Sequence, residues 1–189
     1  MASTELKEIK TKLEEMQNKL DDRFDEYLKE EFGLKMKYQK LNKDLLDERD
    51  KILKSLKEEE LKEFMTNALD NFPEIHSRLP IVQIEGENCY DCDFIKFIKA
   101  EFLEGYKMEV TVDLFENPYV EEKQLKRTFN LETSEDTCMA LTHKIHEEEH
   151  CPFFAFFEND EEALDLFDLF HEFYLNLSFY ALNDVGEEN

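Results

Sequence analysis

At 189 residues the chain can hold one domain with a core of its own and an appendage, but not two large domains. Its 47 Asp and Glu against 23 Lys and Arg give a net charge of -24, which repels nucleic acid and anionic membrane and attracts basic partners, while 17 Phe and 7 Tyr are far too many for a disordered acidic chain. No apolar run approaches the roughly 18 residues of a membrane span, no signal-peptide core precedes Lys12, and four cysteines are too few for a disulfide framework, so a soluble intracellular protein with reduced thiols is expected.

Charge divides the chain. Residues 1 to 57 carry 14 of the basic and 14 of the acidic residues, a net of zero, which leaves 9 basic and 33 acidic residues for positions 58 to 189. The first stretch has no Pro, and its apolar residues Leu6, Ile9, Leu13, Met16 and Leu20 recur with the alternating 3 and 4 spacing of a heptad seam. The pattern restarts at Phe24 and continues through Tyr27, Leu34, Tyr38, Leu41, Leu45 and Ile52, so the step from Leu20 to Phe24 reads as a four-residue stutter. A helix of about 50 residues is about 75 Å long, whereas a compact body of about 130 residues is only about 36 Å across. Half of such a seam has no cover within its own domain, and the simplest cover is a second copy of the chain. An isolated helix, packed within its own chain or stabilised by solvent, is the alternative.

Residues 58 to 79 read as one or two short helices ended by Pro73 and Pro80, with Leu61, Phe64, Met65, Ala68 and Leu69 on one face. Strand signals begin later. The stretch Phe94 to Phe102 suits a helix or a strand buried on both faces, and is assigned as a strand because a hairpin follows it. In that hairpin Met108, Val110, Val112 and Leu114 alternate with polar residues, Asn117-Pro118 turns the chain, and Leu125, Arg127, Phe129 and Leu131 return it. A polar loop from Glu132 to Asp136 and a third strand at Cys138 to Lys144 are expected next. Pro152 then opens a phenylalanine-rich segment, and Leu164, Phe167, Phe170, Phe173, Tyr174 and Leu177 follow with helical spacing. The expected fold class is α+β, a long N-terminal helix over residues 1–57 followed by an acidic antiparallel-sheet domain with packed helices over 58–189.

Several of these segments resemble the nucleosome assembly protein (NAP)/SET family. Gly105 to Leu114 runs into Phe115-Glu116-Asn117-Pro118-Tyr119, and the return segment Leu125-Lys126-Arg127-Thr128-Phe129 follows, as in that family's strand, Glu-Asn-Pro-Tyr-Phe turn and return strand. Lys37-Tyr38-Gln39-Lys40-Leu41 with Glu48-Arg49-Asp50 is similar to the second half of its long helix, and Pro152-Phe153-Phe154-Ala155-Phe156-Phe157 to its Ser-Phe-Phe-x-Trp-Phe segment. The chain departs from the pattern in having no Trp, in placing Val120 where the turn's last aromatic would stand, and in reducing the usual acidic tail to Asp184, Glu187 and Glu188.

The resemblance implies a histone chaperone, nuclear or cytoplasmic or both. It implies a homodimer paired through the long helix and "earmuff" domains that present acidic surface to core histones, with no cofactor, no resident metal and no catalysed reaction. The expected histone contacts are Glu147, Glu148, Glu149, Asp160, Glu161, Glu162, Asp165 and Asp168, which lie beyond the last basic residue, Lys144. Two rival chemistries are weaker. Cys89 and Cys92 with His143, His146, His150 and Cys151 could supply zinc ligands, but the gap between the cysteine pair and the histidines is far longer than in a zinc finger. No phosphate loop, nucleophile elbow or His-Glu-x-x-His points to an enzyme. A coiled-coil adaptor accounts for the first 57 residues equally well but gives no reason for the acidity of the rest.

Overall fold

The computed structural model describes residues 2–133, 135–144, 151–159 and 163–183. Helix α1 spans Ala2–Lys54; its residues up to Leu41 form one compact unit, and the chain from Asn42 onward forms a second. The first unit is helix alone. It has no proline and salt bridges of the i,i+4 kind such as Lys35–Glu31 at 3.1 Å, each worth only a few tenths of a kcal/mol on an exposed helix.

The second unit continues with α2 (Glu58–Asp70), whose first turn holds Glu58, Glu59 and Glu60 at the positive end of the helix dipole. The Glu60 carboxylate also accepts a hydrogen bond from the Lys57 backbone N–H at 3.0 Å. A 3-10 turn over Pro73–Arg78 follows, so α2 stops before Pro73, which opens the turn, and the turn stops before Pro80.

Four strands then form an antiparallel meander: β3 (Ile95–Leu103), β4 (Lys107–Leu114), β5 (Gln124–Asn130) and β6 (Glu135–Thr137). The register pairs Ile98 with Val112, Ala100 with Val110 and Phe102 with Met108, and β5 places Leu125, Arg127 and Phe129 on that same face. Helices α2, α3 (Pro152–Asn159) and α4 (Ala163–Leu182) cover it. The core between the layers is aromatic: Phe72, Phe94, Phe129, Phe153, Phe156, Phe157, Phe167, Phe170 and Phe173 are all fully buried. Their rings meet mostly edge-on or tilted, as Phe156 and Phe157 do at 4.8 Å and 89°, the geometry the ring quadrupoles favour.

Two expectations are corrected. A hairpin of β1 (Ile81–Ile84) and β2 (Glu87–Tyr90) precedes the main sheet, turned at Glu85 and Gly86, both in the left-handed region. Its residues are exposed or half-buried on both faces, so it carries no alternation to read. Cys138 to Lys144 is not a strand. The edge strand β6 instead overlaps the end of the expected polar loop, and the chain after it runs beside the turn segment, bridging Val120 to His143, with the Glu121 N–H bonded to the Thr142 carbonyl at 3.0 Å and the Lys144 N–H to the Tyr119 carbonyl at 2.8 Å. The Met139 N–H bonds to the Phe157 carbonyl at 2.8 Å, drawing this segment onto the end of α3 instead of along β5.

Candidate functional site

Three features could carry function: the apolar row of α1, the turn at Asn117, and the acidic surface. The seam residues Leu6, Ile9, Leu13, Met16, Leu20, Phe24, Tyr27, Leu34, Tyr38, Leu41 and Leu45 are between 54% and 70% exposed, all on one helix, with Ile52 continuing the row. An apolar stripe this long at coiled-coil spacing is the pattern of a surface that another helix covers. The charges beside it fall in blocks. Asp21, Asp22, Asp25, Glu26, Glu30 and Glu31 outnumber Arg23 and Lys29, whereas Lys35, Lys37, Lys40 and Lys43 follow with no acidic residue among them.

The last turns of α1 enter the core of the second unit, which the apolar pattern did not disclose. Leu53 and Asp50 are buried there. Arg49 bonds Asp50 through Nε and Nη2 at 3.1 and 2.9 Å, donates Nη1 to the Tyr174 carbonyl at 2.5 Å, and stacks its guanidinium over the Tyr174 ring at 4.5 Å. The Tyr174 hydroxyl donates to the other Asp50 oxygen at 2.8 Å, and burial together with that carboxylate raises its pKa. Arg49 and Asp50 thus fasten the last turns of α1 to α4.

Asn117 organises the turn from within. It is 7% exposed; its Oδ1 accepts from the Tyr119 and Val120 N–H groups at 2.9 Å each, and its Nδ2 donates to the Phe115 carbonyl at 3.0 Å. This is an Asx turn with every polar atom of the amide engaged. Tyr119 reaches out to donate to Asp91 at 2.6 Å, and Lys144 donates to the Asn117 carbonyl at 2.8 Å. A cleft of about 480 Å³ beside the turn is lined by Glu58, Glu116, Glu121 and Glu122 and also by Lys96, Lys123 and Lys144, so its charge is mixed rather than acidic.

Of the expected acidic contacts, Asp165 and Asp168 stand exposed one turn apart on α4. Glu147, Glu148, Glu149, Asp160, Glu161 and Glu162 lie outside the described residues. The outer face of the sheet is paired rather than purely acidic, with Lys99–Glu101 at 2.8 Å and Lys126–Glu109 at 2.9 Å. Arg127, on the inner face, is buried. It donates to the Phe156 carbonyl and, at 2.7 Å, to Asp136, and it lies over the Phe129 ring, so this cation serves the core. Among the zinc candidates, Cys92 is buried and its thiol is pushed up to about 12 by burial and by the nearby Asp70, while His143 pairs with Glu158 at 3.1 Å. Among the described residues no group of three or more His, Cys, Asp or Glu stands together as a metal site. No helix is long and apolar enough to cross a membrane.

Solved structures decide the fold. A malaria-parasite nucleosome assembly protein superposes with a TM-score of 0.51 over 94% of this chain and 96% of its own, at 22% identity. The chain has the nucleosome assembly protein fold. Nucleosome assembly protein 1 of Plasmodium knowlesi matches at 0.51 and 18% identity over 96% of this chain and 98% of its own, and nucleosome assembly protein S of Plasmodium falciparum at 0.52 and 15% over 90% and 98%. An uncharacterised protein of Encephalitozoon cuniculi is 27% identical over 170 residues, 90% of each chain. No family profile matches the sequence.

Proposed function

We propose that this chain is a histone chaperone of the nucleosome assembly kind. It pairs with a second copy through α1, catalyses no reaction, needs no cofactor, and acts in the nucleus, the cytoplasm or both. The observation that carries this reading is the charge partition. A seam-bearing helix of zero net charge is joined, on the nucleosome assembly protein fold, to a domain that holds the whole net charge of -24. A charge of that size concentrated away from the pairing helix favours basic protein partners, and core histones are the basic partners that the fold's solved relatives suggest by name. The expected contacts are Glu147, Glu148, Glu149, Asp160, Glu161, Glu162, Asp165 and Asp168, acting by charge-assisted contacts that compete with DNA phosphates.

The pairing has a direction written in its charges. A parallel, in-register dimer sets the acidic block of residues 21–31 against itself and the basic block of residues 35–43 against itself. An antiparallel dimer whose axis passes between residues 32 and 33 sets acidic block against basic block, with Lys35 near Glu30, Lys40 near Asp25 and Lys43 near Asp22 of the partner. The seam agrees with that axis. It sets Tyr27, Phe24, Leu20 and Leu13 opposite Tyr38, Leu41, Leu45 and Ile52 of the partner.

Binding of purified core histones across a salt series tests the function. Affinity should fall steeply with salt, and converting the two acidic clusters to amides should weaken binding while the dimer mass and melting temperature stay put. Binding indifferent to both changes would refute the chaperone reading and favour a coiled-coil adaptor.

A further inference from the structure

The β1–β2 hairpin is anchored at its base and open along its strands. At the base the Tyr90 ring stacks on His76 at 5.0 Å, Asp91 accepts the Tyr119 hydroxyl at 2.6 Å, and Asp93 pairs with Lys62 at 3.0 Å. Beyond it, among the described residues, the two strands pair only with each other. A two-stranded hairpin alone is marginal in water, so these anchors hold it in shape.

The ladder fixes which backbone groups are left over. The loop is two residues long, Glu85 and Gly86, and the Asp91 N–H bonds the Pro80 carbonyl at 2.8 Å. Ladder bonds therefore join positions 80 to 91, 82 to 89 and 84 to 87. The pairs between them, Ile81–Tyr90 and Gln83–Asn88, turn their N–H and C=O groups to the two outer edges.

Edge strands are ordinarily guarded by charge, proline, a bulge or cover. β1, Ile81-Val82-Gln83-Ile84, has no charged residue, no bulge and no proline within it, and Ile81 and Ile84 are 64% and 57% exposed. β2 differs in carrying Glu87. Acidic residues gather at the tip instead, Glu85 and Glu87, and positions 79 to 93 hold no Lys or Arg. A second copy is disfavoured as the occupant of β1, because it would bring together two such tips and two domains of net charge -24. A basic chain meets no such repulsion.

We infer that β1 is a docking edge, to which an extended segment of the basic partner adds as a third strand. Its backbone bonds that of Ile81 and Gln83, its apolar side chains lie beside Ile81 and Ile84, and its basic ones beside Glu85 and Glu87. The inference rests on the histone-chaperone reading and deepens it: a backbone-paired contact, which salt screens little, joins the salt-sensitive charge contacts.

Hydrogen exchange of the full chain at short labelling times, resolved to single amides by mass spectrometry, tests this with purified core histones as the probe. Saturating histones should slow exchange at Ile81 and Gln83 at least about tenfold, while Asn88 and Tyr90 on the opposite edge keep their rates. Bound histones with unchanged exchange at Ile81 and Gln83 overturn the inference and leave the chaperone reading standing. Histones that do not bind overturn both. Slowed exchange in the chain alone, with a mass above that of a dimer, assigns the edge to a second copy and overturns the inference too. As an independent arm, Gln83→Pro removes an outward N–H and no ladder bond, so it should weaken histone binding about tenfold with unchanged circular dichroism, whereas Asn88→Pro on the other edge should not. Equal affinities of the two variants count against the docking edge.

Discussion

Replacing Asn117 by Ala separates a turn that serves as scaffold from one that touches a partner. The substitution removes three hydrogen bonds at once, strands the buried Val120 N–H and the half-buried Tyr119 N–H, and leaves the Phe115 carbonyl short of a donor. An orphaned buried donor costs about 1 to 3 kcal/mol and a partly wet one less, so the expected loss is about 2 to 4 kcal/mol. For a domain of this size that is a fall of roughly 6 to 12 °C in melting temperature. Pro118, exposed at the next position, works mainly by stiffening the unfolded chain, so Pro118→Ala should cost only about 1 kcal/mol. Urea unfolding followed by circular dichroism on both variants gives the two numbers side by side. Equal losses, or an Asn117→Ala loss under about 1 kcal/mol, would mean that the amide is not holding the turn. Loss of histone binding by either variant with stability intact would mean that the turn is a contact surface.

Other consequences follow from the same contacts. Replacing Leu13, Leu20 and Leu41 together by Glu should abolish the dimer in sedimentation, since each fully buried seam leucine is worth about 2 to 5 kcal/mol. Lys37→Glu with Lys40→Glu should weaken the dimer, and adding Asp25→Lys with Glu26→Lys in the same chain should restore much of it; a parallel pairing predicts no such rescue. Tyr174→Phe leaves the buried Asp50 one donor short and should cost about 2 kcal/mol in urea unfolding, with α4 helicity retained. Because its thiol is pushed up to about 12, buried Cys92 stays protonated at pH 8, and iodoacetamide should label exposed Cys138 well before it by mass spectrometry.

The sequence disclosed those elements whose residues face one way. The alternation of β4 and β5 and the inward row Phe167, Phe170, Phe173, Tyr174 and Leu177 each bury one side, and that side imposes the period; the α1 seam keeps its apolar residues on one side of the helix although that side is exposed within the chain. The β1–β2 hairpin buries neither face, so only the Gly86 turn marks it, and β6 is a three-residue edge whose pairing with β5 depends on Thr128, Phe129 and Asn130 elsewhere in the chain. Apolar residues outside a period were equally silent. Leu175, Phe179 and Leu182 sit in a helix that is apolar nearly all round, and composition alone cannot say which of its leucines meet water. Arg127 and Asp50 show the reverse: charged residues at core positions, legible only once Asp136, the Phe156 carbonyl and Tyr174 are brought to them.

The two charge patterns solve opposite problems in one chain. A pairing helix that shared the acidity of the domain would repel its own copy along its whole length, because flanking charges in a coiled coil lie within the roughly 8 Å screening length at physiological salt. Zero net charge removes that repulsion, but a uniformly mixed helix would leave parallel and antiparallel pairing nearly equal. Sorting the charges into an acidic block before Gly33 and a basic block after it makes the helix self-complementary in one direction only. On the proposed function, the remaining acidity, confined to positions 58 to 189, is free to select a basic partner that is not a second copy. Shuffling the charges of residues 21–43 at constant composition should therefore loosen the direction of pairing while leaving the domain's affinity for basic proteins unaltered.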